Sequence, residues 1–297
     1  MPDSSPLRDL LSPSRITHVV DVGANPYGSD LPYLPMLRAG LCHLTGFEPE
    51  PEAFLLLQGT CGPNESYLPY ALGDGNRHIL HVCTPASGMT SLFEPDPLTI
   101  RLFRGFEAFS EVTQRIPLDT RRLDDLEEIT HIDFLKIDVQ GSELAVFQNG
   151  RNKLSETVAV QAEVSFVTLY KNQPPFGEVD LELRRQGFIP HCFVGVKSWP
   201  IGEFMVGNDP RRPLNQLLEA DIVYVRDVTR PSTLADEQLK HLALIAHHCY
   251  GSFDLAHVCV RLLEDRRAVE AGSGQRYLET LNARTPPWTE PMAWRNQ

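Results

Sequence analysis

The stretch from His18 to Gly28, His-Val-Val-Asp-Val-Gly-Ala-Asn-Pro-Tyr-Gly, constrains the fold more than any other part of the chain. A short apolar run enters a turn-forming cluster, the pattern of a buried parallel strand that ends in a ligand-holding loop. Glu48 follows twenty positions after Gly28, at the end of a second apolar run (Leu41 to Phe47) and just before Pro49. An acidic residue at the tip of the second strand is placed to accept hydrogen bonds from the two hydroxyls of a bound ribose. Strand, loop with Gly23 and Gly28, helix, strand and acid make the first half of a nucleotide-binding α/β fold.

The residues of the loop discriminate between nucleotides. A dinucleotide fingerprint wants glycine two positions after Gly23, so that the backbone can approach a pyrophosphate. Asn25 stands there instead. Asparagine tolerates left-handed dihedrals, so the turn survives while the close pyrophosphate approach is compromised. Asp21 adds a carboxylate that repels a pyrophosphate and attracts a ligand with a cationic end. S-adenosylmethionine carries a sulfonium and an ammonium and no phosphate, and the loop favours it over NAD. An NAD-dependent oxidoreductase is disfavoured on the same residues.

The 297 residues allow one sizeable core and an extra module. With 27 Lys and Arg against 39 Asp and Glu, the net charge of −12 argues against nonspecific binding to nucleic acid or to an anionic membrane surface. No apolar run approaches membrane-spanning length, and the start Met-Pro-Asp-Ser-Ser-Pro lacks the features of a signal peptide. The six cysteines are scattered and read as reduced thiols packed as small hydrophobes, so the expected compartment is the cytoplasm.

Along the chain, strands are expected at His18 to Val22, Leu41 to Phe47, Ser66 to Leu72 and His78 to Cys83. Further strands are expected at Phe134 to Val139, Val158 to Val164, Phe188 to Val196 and Ala220 to Arg226. Helices are expected after Gly28, from Pro51, over Ser142 to Asn149 and over Val179 to Gln186. Leu98 to Val112 reads as an amphipathic helix in a covering segment, and Leu123-Asp-Asp-Leu as the start of a short helix. Strands alternating with helices imply a doubly wound, mostly parallel α/β sheet with an antiparallel element late. After Arg230 the pattern changes to helices alone, over Leu234 to His248, Leu255 to Val269 and Gln275 to Asn282. The division expected is a domain over 1–229 and a helical C-terminal extension over 230–297, with a homo-oligomer formed through these helices.

Five motifs resemble one family. Asp21-Val-Gly-Ala-Asn, Gly46-Phe-Glu-Pro, Ala71-Leu-Gly-Asp, Arg122-Leu-Asp-Asp-Leu and Asp133-Phe-Leu-Lys-Ile-Asp-Val-Gln-Gly-Ser-Glu-Leu are similar to the FkbM family of S-adenosylmethionine-dependent methyltransferases. The resemblance covers roughly residues 18–227. It implies a class I methyltransferase (Rossmann-like) sheet and methylation of hydroxyl oxygens on sugars or polyketides. By position it implies Asp21, Gly23 and Asn25 around the methionine portion, Glu48 on the ribose, and Ala71 and Leu72 beside the adenine. The cofactor-binding set expected is these residues with Ala24, Gly28, Pro49 and Asp138. The chain departs from the family's pattern twice: Pro26-Tyr27 push the loop glycine to Gly28, and Gln140 stands where Glu is common.

Methyl transfer from a sulfonium is an in-line displacement, and an alcohol acceptor gains reactivity when a base takes its proton. Such groups belong at the carboxyl ends of strands near the switch point. Asp138 and Glu163 end two of the expected strands, as a base with its orienting partner or as metal ligands. Lys136 shares a strand face with Asp138 and is placed to pair with a carboxylate in the sheet. His191 is the best placed histidine. The candidate catalytic set is therefore Asp138, Glu163 and His191. The histidines and cysteines between His241 and Cys259 match no zinc spacing, and no metal site is expected. The function expected is O-methylation of a hydroxyl on a small molecule or saccharide. The contrasting possibility is a nucleoside-binding scaffold that keeps the fold without catalysis.

Overall fold

The structure is a computed structural model that describes residues 5–26, 31–85, 87–209 and 211–282. Gly28 lies outside the described residues. The chain opens with strands β1 (Thr17–Val22), β2 (Cys42–Phe47) and β3 (Glu65–Leu68), then passes through β4 (Ala71–Leu72), β5 (Arg77–Cys83) and β6 (Val112–Arg121). It continues with β7 (Phe134–Ile137), β8 (Ala159–Ser165), β9 (Phe188–Ser198) and β10 (Leu217–Arg226). Seven of these form one sheet in the order β3-β2-β1-β7-β8-β10-β9, and β4, β6 and β5 form a second. In the large sheet β10 is antiparallel to both neighbours, while the β3-β2-β1-β7-β8 run is parallel. This is the doubly wound sheet with a late antiparallel strand. The chain leaves β1 toward β2 on one side and returns to β7 on the other, so the switch point lies at the carboxyl ends of β1 and β7.

Helices α1 (Pro6–Leu11), α2 (Leu34–Arg38) and α3 (Pro51–Thr60) accompany the first strands, and α4 (Pro97–Ile100) and α5 (Phe106–Phe109) are single turns. Next come α6 (Glu143–Gln148) and α7 (Phe176–Arg185), then three helices at the C-terminal end, α8 (Asp236–Tyr250), α9 (Phe253–Asp265) and α10 (Ser273–Asn282). In the buried parallel strands alternate side chains fall on opposite faces, and both faces are apolar. Val20, Leu135, Val160 and Ala162 pack with Phe147 of α6 and Leu183 of α7. Val19, Phe134, Ala159 and Val223 pack on the other face with Leu239, Leu242 and Ala243 of α8 and Cys259 of α9.

The C-terminal helices are present as expected, and they bury their apolar faces in the core of the sheet. In α9, Leu255, Ala256, Cys259, Val260 and Leu263 are buried at helical spacing. Polar contacts follow the same route: the Thr17 hydroxyl of β1 meets Nδ1 of the fully buried His241 at 3.0 Å, and the Tyr250 hydroxyl donates to Gln161 of β8 at 3.0 Å. Among the described side chains of these helices, Val258 and Leu278 are the large apolar ones left exposed.

Two local expectations change. The strand expected over Ser66 to Leu72 divides at Pro69, which has no N–H for a ladder, and Ala71 and Leu72 pair with β6 in the second sheet. The helix expected over Leu98 to Val112 is broken at Gly105, with φ of 81°, into α4 and α5 followed by β6. Its aromatic residues cover a small core instead: Phe103 and Phe106 pack with Met89, Leu169 and Tyr170, and the Phe106 ring meets Trp199 edge-on at 5.0 Å. The residues from Leu123 to Asp125 form a short 3-10 helix after the long strand β6, in line with the expectation there.

Deleting residues 231–297 should abolish cooperative folding. The lost segment buries nine Leu, Ile and Val side chains in the shared core, at about 1.5–3 kcal/mol each, against a usual net stability of about 5–15 kcal/mol. A truncated chain that melts cooperatively near the full-length temperature, followed by circular dichroism, would contradict one shared core.

Candidate functional site

The carboxyl end of β1 turns at Gly23, whose φ of +84° suits glycine. Its N–H and that of Ala24 both donate to the Phe47 carbonyl at 3.0 Å, which ties the loop to the end of β2, and the Asn25 N–H donates to the Gly23 carbonyl at 2.8 Å. A methyl group on Gly23 would stand 2.0 Å from the Asp138 carbonyl oxygen. Gly23 thus lets the ends of β1 and β7 touch. One strand over, a Cβ on Gly46 would come within 2.5 Å of the Tyr67 ring and 2.9 Å of the Ala24 Cβ, so the floor of the loop is as tight as the loop itself.

Asp21 lies beneath this loop and is fully buried. Its Oδ2 accepts from the Tyr33 hydroxyl at 2.5 Å, and its Oδ1 is 3.1 Å from the Lys136 ammonium. The carboxylate that the sequence places toward a cationic ligand is engaged inside the protein. Lys136 therefore does pair with a carboxylate of the sheet. Burial works to lower the Lys136 pKa, but Asp21 and Asp138 outweigh it and hold the ammonium above the ordinary lysine range.

Glu48 stands at the end of β2, its N–H bonded to the Leu68 carbonyl and its Oε1 accepting from the Glu50 N–H at 2.8 Å. Among the described residues no hydrogen bond occupies its Oε2. Burial, helped by the carboxylates of Glu50 and Asp21, pushes its pKa up to about 7 against the Glu50 N–H. Pro49 follows it at half-burial. Ala71 and Leu72 are buried at the start of the second sheet, Leu72 within the sheet's apolar core.

Beyond Asp138, Glu143 shapes the chain by accepting from the N–H groups of Val139 (3.0 Å) and Gly141 (3.2 Å). Between them Gln140 adopts a φ of 55° and aims its amide nitrogen at two carboxylates, Asp138 Oδ1 at 2.9 Å and Glu163 Oε2 at 2.5 Å. The structure therefore brings Asp138 and Glu163 together at one end of the sheet. Glu163 also faces Lys197 of β9, 3.4 Å away, which in turn pairs with Glu219 at 2.6 Å. Asp221 sits opposite Glu163 in the β8–β10 ladder. Burial, then Asp138 and Glu219, hold the Glu163 carboxyl well above the usual range, with Lys197 opposing.

His191 does not join this group. It lies near the start of β9, and its Nε2 meets the Ser252 hydroxyl at the head of α9 at 2.7 Å. Residues 190 and 192 are level with the start of β8 through β10, whereas Glu163 lies near the end of β8. Other histidines gather at the far end of the sheet, where the His18 ring lies 6.0 Å from His43 and 5.9 Å from His131 beside a groove of about 290 Å³. Among the described residues no group of three His, Cys, Asp or Glu side chains is placed to hold a metal ion.

A tight glycine loop, an acid at the second strand tip and a carboxylate ending β7 are the parts that the family's motifs contribute. The family profile described as Methyltransferase FkbM domain matches residues 21–190. The chain belongs to the FkbM methyltransferase family. As an FkbM methyltransferase it is an S-adenosylmethionine-dependent enzyme. No curated protein matches the chain. Among solved structures, it is similar to magnesium protoporphyrin IX methyltransferase from Synechocystis PCC 6803 with bound SAM, at 10% identity and a TM-score of 0.37, over 71% of each chain. It is also similar to a TehB-like SAM-dependent methyltransferase from Corynebacterium glutamicum ATCC 13032, at 12% identity and a TM-score of 0.35, over 74% of this chain and 85% of that one. A third, a putative tRNA (m1A22) methyltransferase from Streptococcus pneumoniae, shares 8% identity with a TM-score of 0.35, over 94% and 96%.

In this FkbM methyltransferase, Lys197 and Glu219 are polar residues around the site that sequence reasoning missed, while Gln140, visible there only as a departure from the family's motif, joins Asp138 to Glu163. Lys197 and Glu219 come from separate strands, and no local pattern marks them. Two variants test the local geometry. Gly23→Ala should lower stability by at least about 2 kcal/mol, since the left-handed backbone alone costs about 1–2 kcal/mol and the new methyl meets a carbonyl; an unchanged urea midpoint would contradict the contact. Glu48 keeps its proton more tightly folded than unfolded, so its contribution to stability is complete below about pH 4.5 and is lost as pH rises toward about 7. Urea unfolding at pH 5 and pH 8 should show wild type losing on the order of 3 kcal/mol more than Glu48→Gln over that window.

Proposed function

We propose that the chain is an O-methyltransferase that transfers a methyl group from S-adenosylmethionine to a hydroxyl, on a saccharide or another glycosylated or polyketide product. One observation carries this reading: Asp138 and Glu163 meet at the strand ends beside the Gly23 loop, with Glu48 one strand further on. S-adenosylmethionine supplies the methyl group on its sulfonium. Glu48, with Oε2 open among the described residues, accepts from the ribose hydroxyls, and the Gly23–Asn25 turn receives the methionine portion. Ala24, Gly28, Pro49, Ala71 and Leu72 complete the proposed cofactor contacts.

An alcohol oxygen becomes a competent nucleophile as its proton leaves. Glu163, whose affinity for a proton is raised by burial and by Asp138, is the proposed acceptor of that proton, and Asp138 orients it through Gln140. The oxygen–methyl bond forms as the sulfur–methyl bond breaks, and the hydroxyl proton passes to the Glu163 carboxylate. Lys197, Glu219 and Asp221 line the same strand ends with donors and acceptors suited to a polyhydroxylated acceptor. The position of His191 beside Ser252 supports leaving it out of the chemistry. Among the described residues no helix is long and apolar enough to cross a membrane. The proposed compartment is the cytoplasm, supported by Cys42, Cys83 and Cys259 packed as buried free thiols. A homo-oligomer would have to use the outer surface of α8–α10.

Calorimetry with S-adenosylhomocysteine, followed by transfer of labelled methyl groups to a panel of saccharide and polyketide hydroxyls, tests this reading. Glu48→Ala should weaken S-adenosylhomocysteine binding by about 1.5–3 kcal/mol, the value of charge-assisted hydrogen bonds. Unchanged affinity in a folded variant would remove Glu48 from the ribose. Glu163→Gln should lower kcat by about 100- to 10,000-fold while affinity for S-adenosylhomocysteine stays within a few-fold; unaltered turnover would exclude Glu163 as the base.

A further inference from the structure

Gln140 is joined to more separate parts of the site than any neighbouring side chain. Its amide nitrogen reaches Asp138 after β7 and Glu163 on β8. Its amide oxygen accepts from the hydroxyl of the buried Tyr170, which also lies 3.1 Å from the Met89 carbonyl. Its backbone carbonyl accepts from the hydroxyl of the buried Ser91 at 2.7 Å. Ser91 and Met89 belong to the covering segment between β5 and β6, and Tyr170 packs in the small core beneath it. The left-handed φ of 55° is uncommon for a side chain with a Cβ, and this set of contacts holds the residue there.

We propose that Gln140 is a positioning residue that sets Asp138 and Glu163 as one unit and latches the covering segment to them. In this chain the role is filled by an amide where the family commonly carries Glu. Two carboxylates that face each other need a donor between them, and one –NH₂ group supplies two hydrogens while its carbonyl remains free to accept from Tyr170. A carboxylate at position 140 keeps the acceptor for Tyr170 but offers no hydrogen to Asp138 or Glu163 unless it is protonated. The surrounding charges sharpen the requirement. Glu219 and Asp221 of β10 add to the negative side, and Lys197 of β9 and Lys136 of β7 oppose them. Glu143 spends its carboxylate on the backbone N–H groups of the same loop.

This role rests on the proposed site for its catalytic consequence, and its test has a readout that does not need the cofactor. Thermal melting of the full chain is compared for wild type, Gln140→Glu and Gln140→Met between pH 5 and pH 8.5, with S-adenosylhomocysteine calorimetry at each pH. In Gln140→Glu the new carboxyl is expected to take a raised pKa among its neighbours, so its stabilising form persists at low pH and is lost as pH rises. The variant should melt close to wild type near pH 5 and fall progressively below it by pH 8.5. Glu48 titrates in the same window, so affinity is read against wild type at each pH, and the ratio of wild-type to variant affinity should widen at least tenfold over that range. Gln140→Met keeps the volume without the hydrogens and should lose affinity at every pH, with no added pH dependence. A melting difference between Gln140→Glu and wild type that is flat with pH would overturn the bridging role. Wild-type melting and affinity in Gln140→Met would overturn it equally. If wild type itself binds no S-adenosylhomocysteine, the cofactor site falls, and the pH dependence of the Gln140→Glu melt still decides the bridge.

Discussion

The contact between Asp21 and Lys136 is the interaction on which the middle of this protein depends. The two residues lie opposite each other in the β1–β7 pair, the central pair of the large sheet, directly below the loop that turns at Gly23. Two charges withdrawn from water cost several kcal/mol each in desolvation, so the pair is tolerable only because its geometry is satisfied on several sides. Tyr33 closes the other oxygen of Asp21, and Asp138 adds its field to Lys136. The arrangement says why an acid stands among the valines of β1. It pins β1 and β7 in register where their ends must approach closely enough for Gly23 to face the Asp138 carbonyl.

From that pair outward, the sheet changes character along its length. The middle of both faces is apolar and packed by helices, and the carboxyl edge is a run of charges across β1, β7, β8, β10 and β9. Acids outnumber the two lysines in this run, and the surplus is accommodated by burial that raises the affinity of Glu163 and Asp221 for protons. A carboxyl environment of this kind favours the protonated form of both groups beyond the ordinary carboxylate range.

What could be read from the chain and what could not divide along sequence distance. Val19 to Gly23 and Leu41 to Glu48 announce themselves because strand period, turn residues and an acid lie within one short window. Asp138 and Glu163 were legible for the same reason, each at the end of its own apolar run. Their partners were not: Gln140 turns toward them only because its φ is left-handed, and Lys197 arrives from a strand more than thirty residues later. His191 illustrates the converse. A histidine on a late strand looks well placed in one dimension, but the strand level it occupies faces Ser252 and not the carboxylates. In the covering segment Phe103 and Phe106 supplied helical spacing without one continuous helix, because Gly105 interrupts it and the Phe106 ring finds Trp199. The C-terminal helices were legible as helices from their period, whereas the destination of their apolar faces was a property of the whole sheet.

That destination bears on how the chain is made. One face of β1 is covered by residues that lie more than two hundred positions downstream: Thr17 meets His241, Ser5 at the start of α1 meets His248, and Leu7 and Leu11 share a core with Tyr277 and Leu281. On a ribosome the first strand is finished long before the helices that cover it emerge. Until those helices emerge, the nascent chain lacks residues that cover this face of β1, a condition under which chaperones engage and stalled chains aggregate. Helices α8–α10 thus complete the enclosure of a strand translated more than two hundred residues before them.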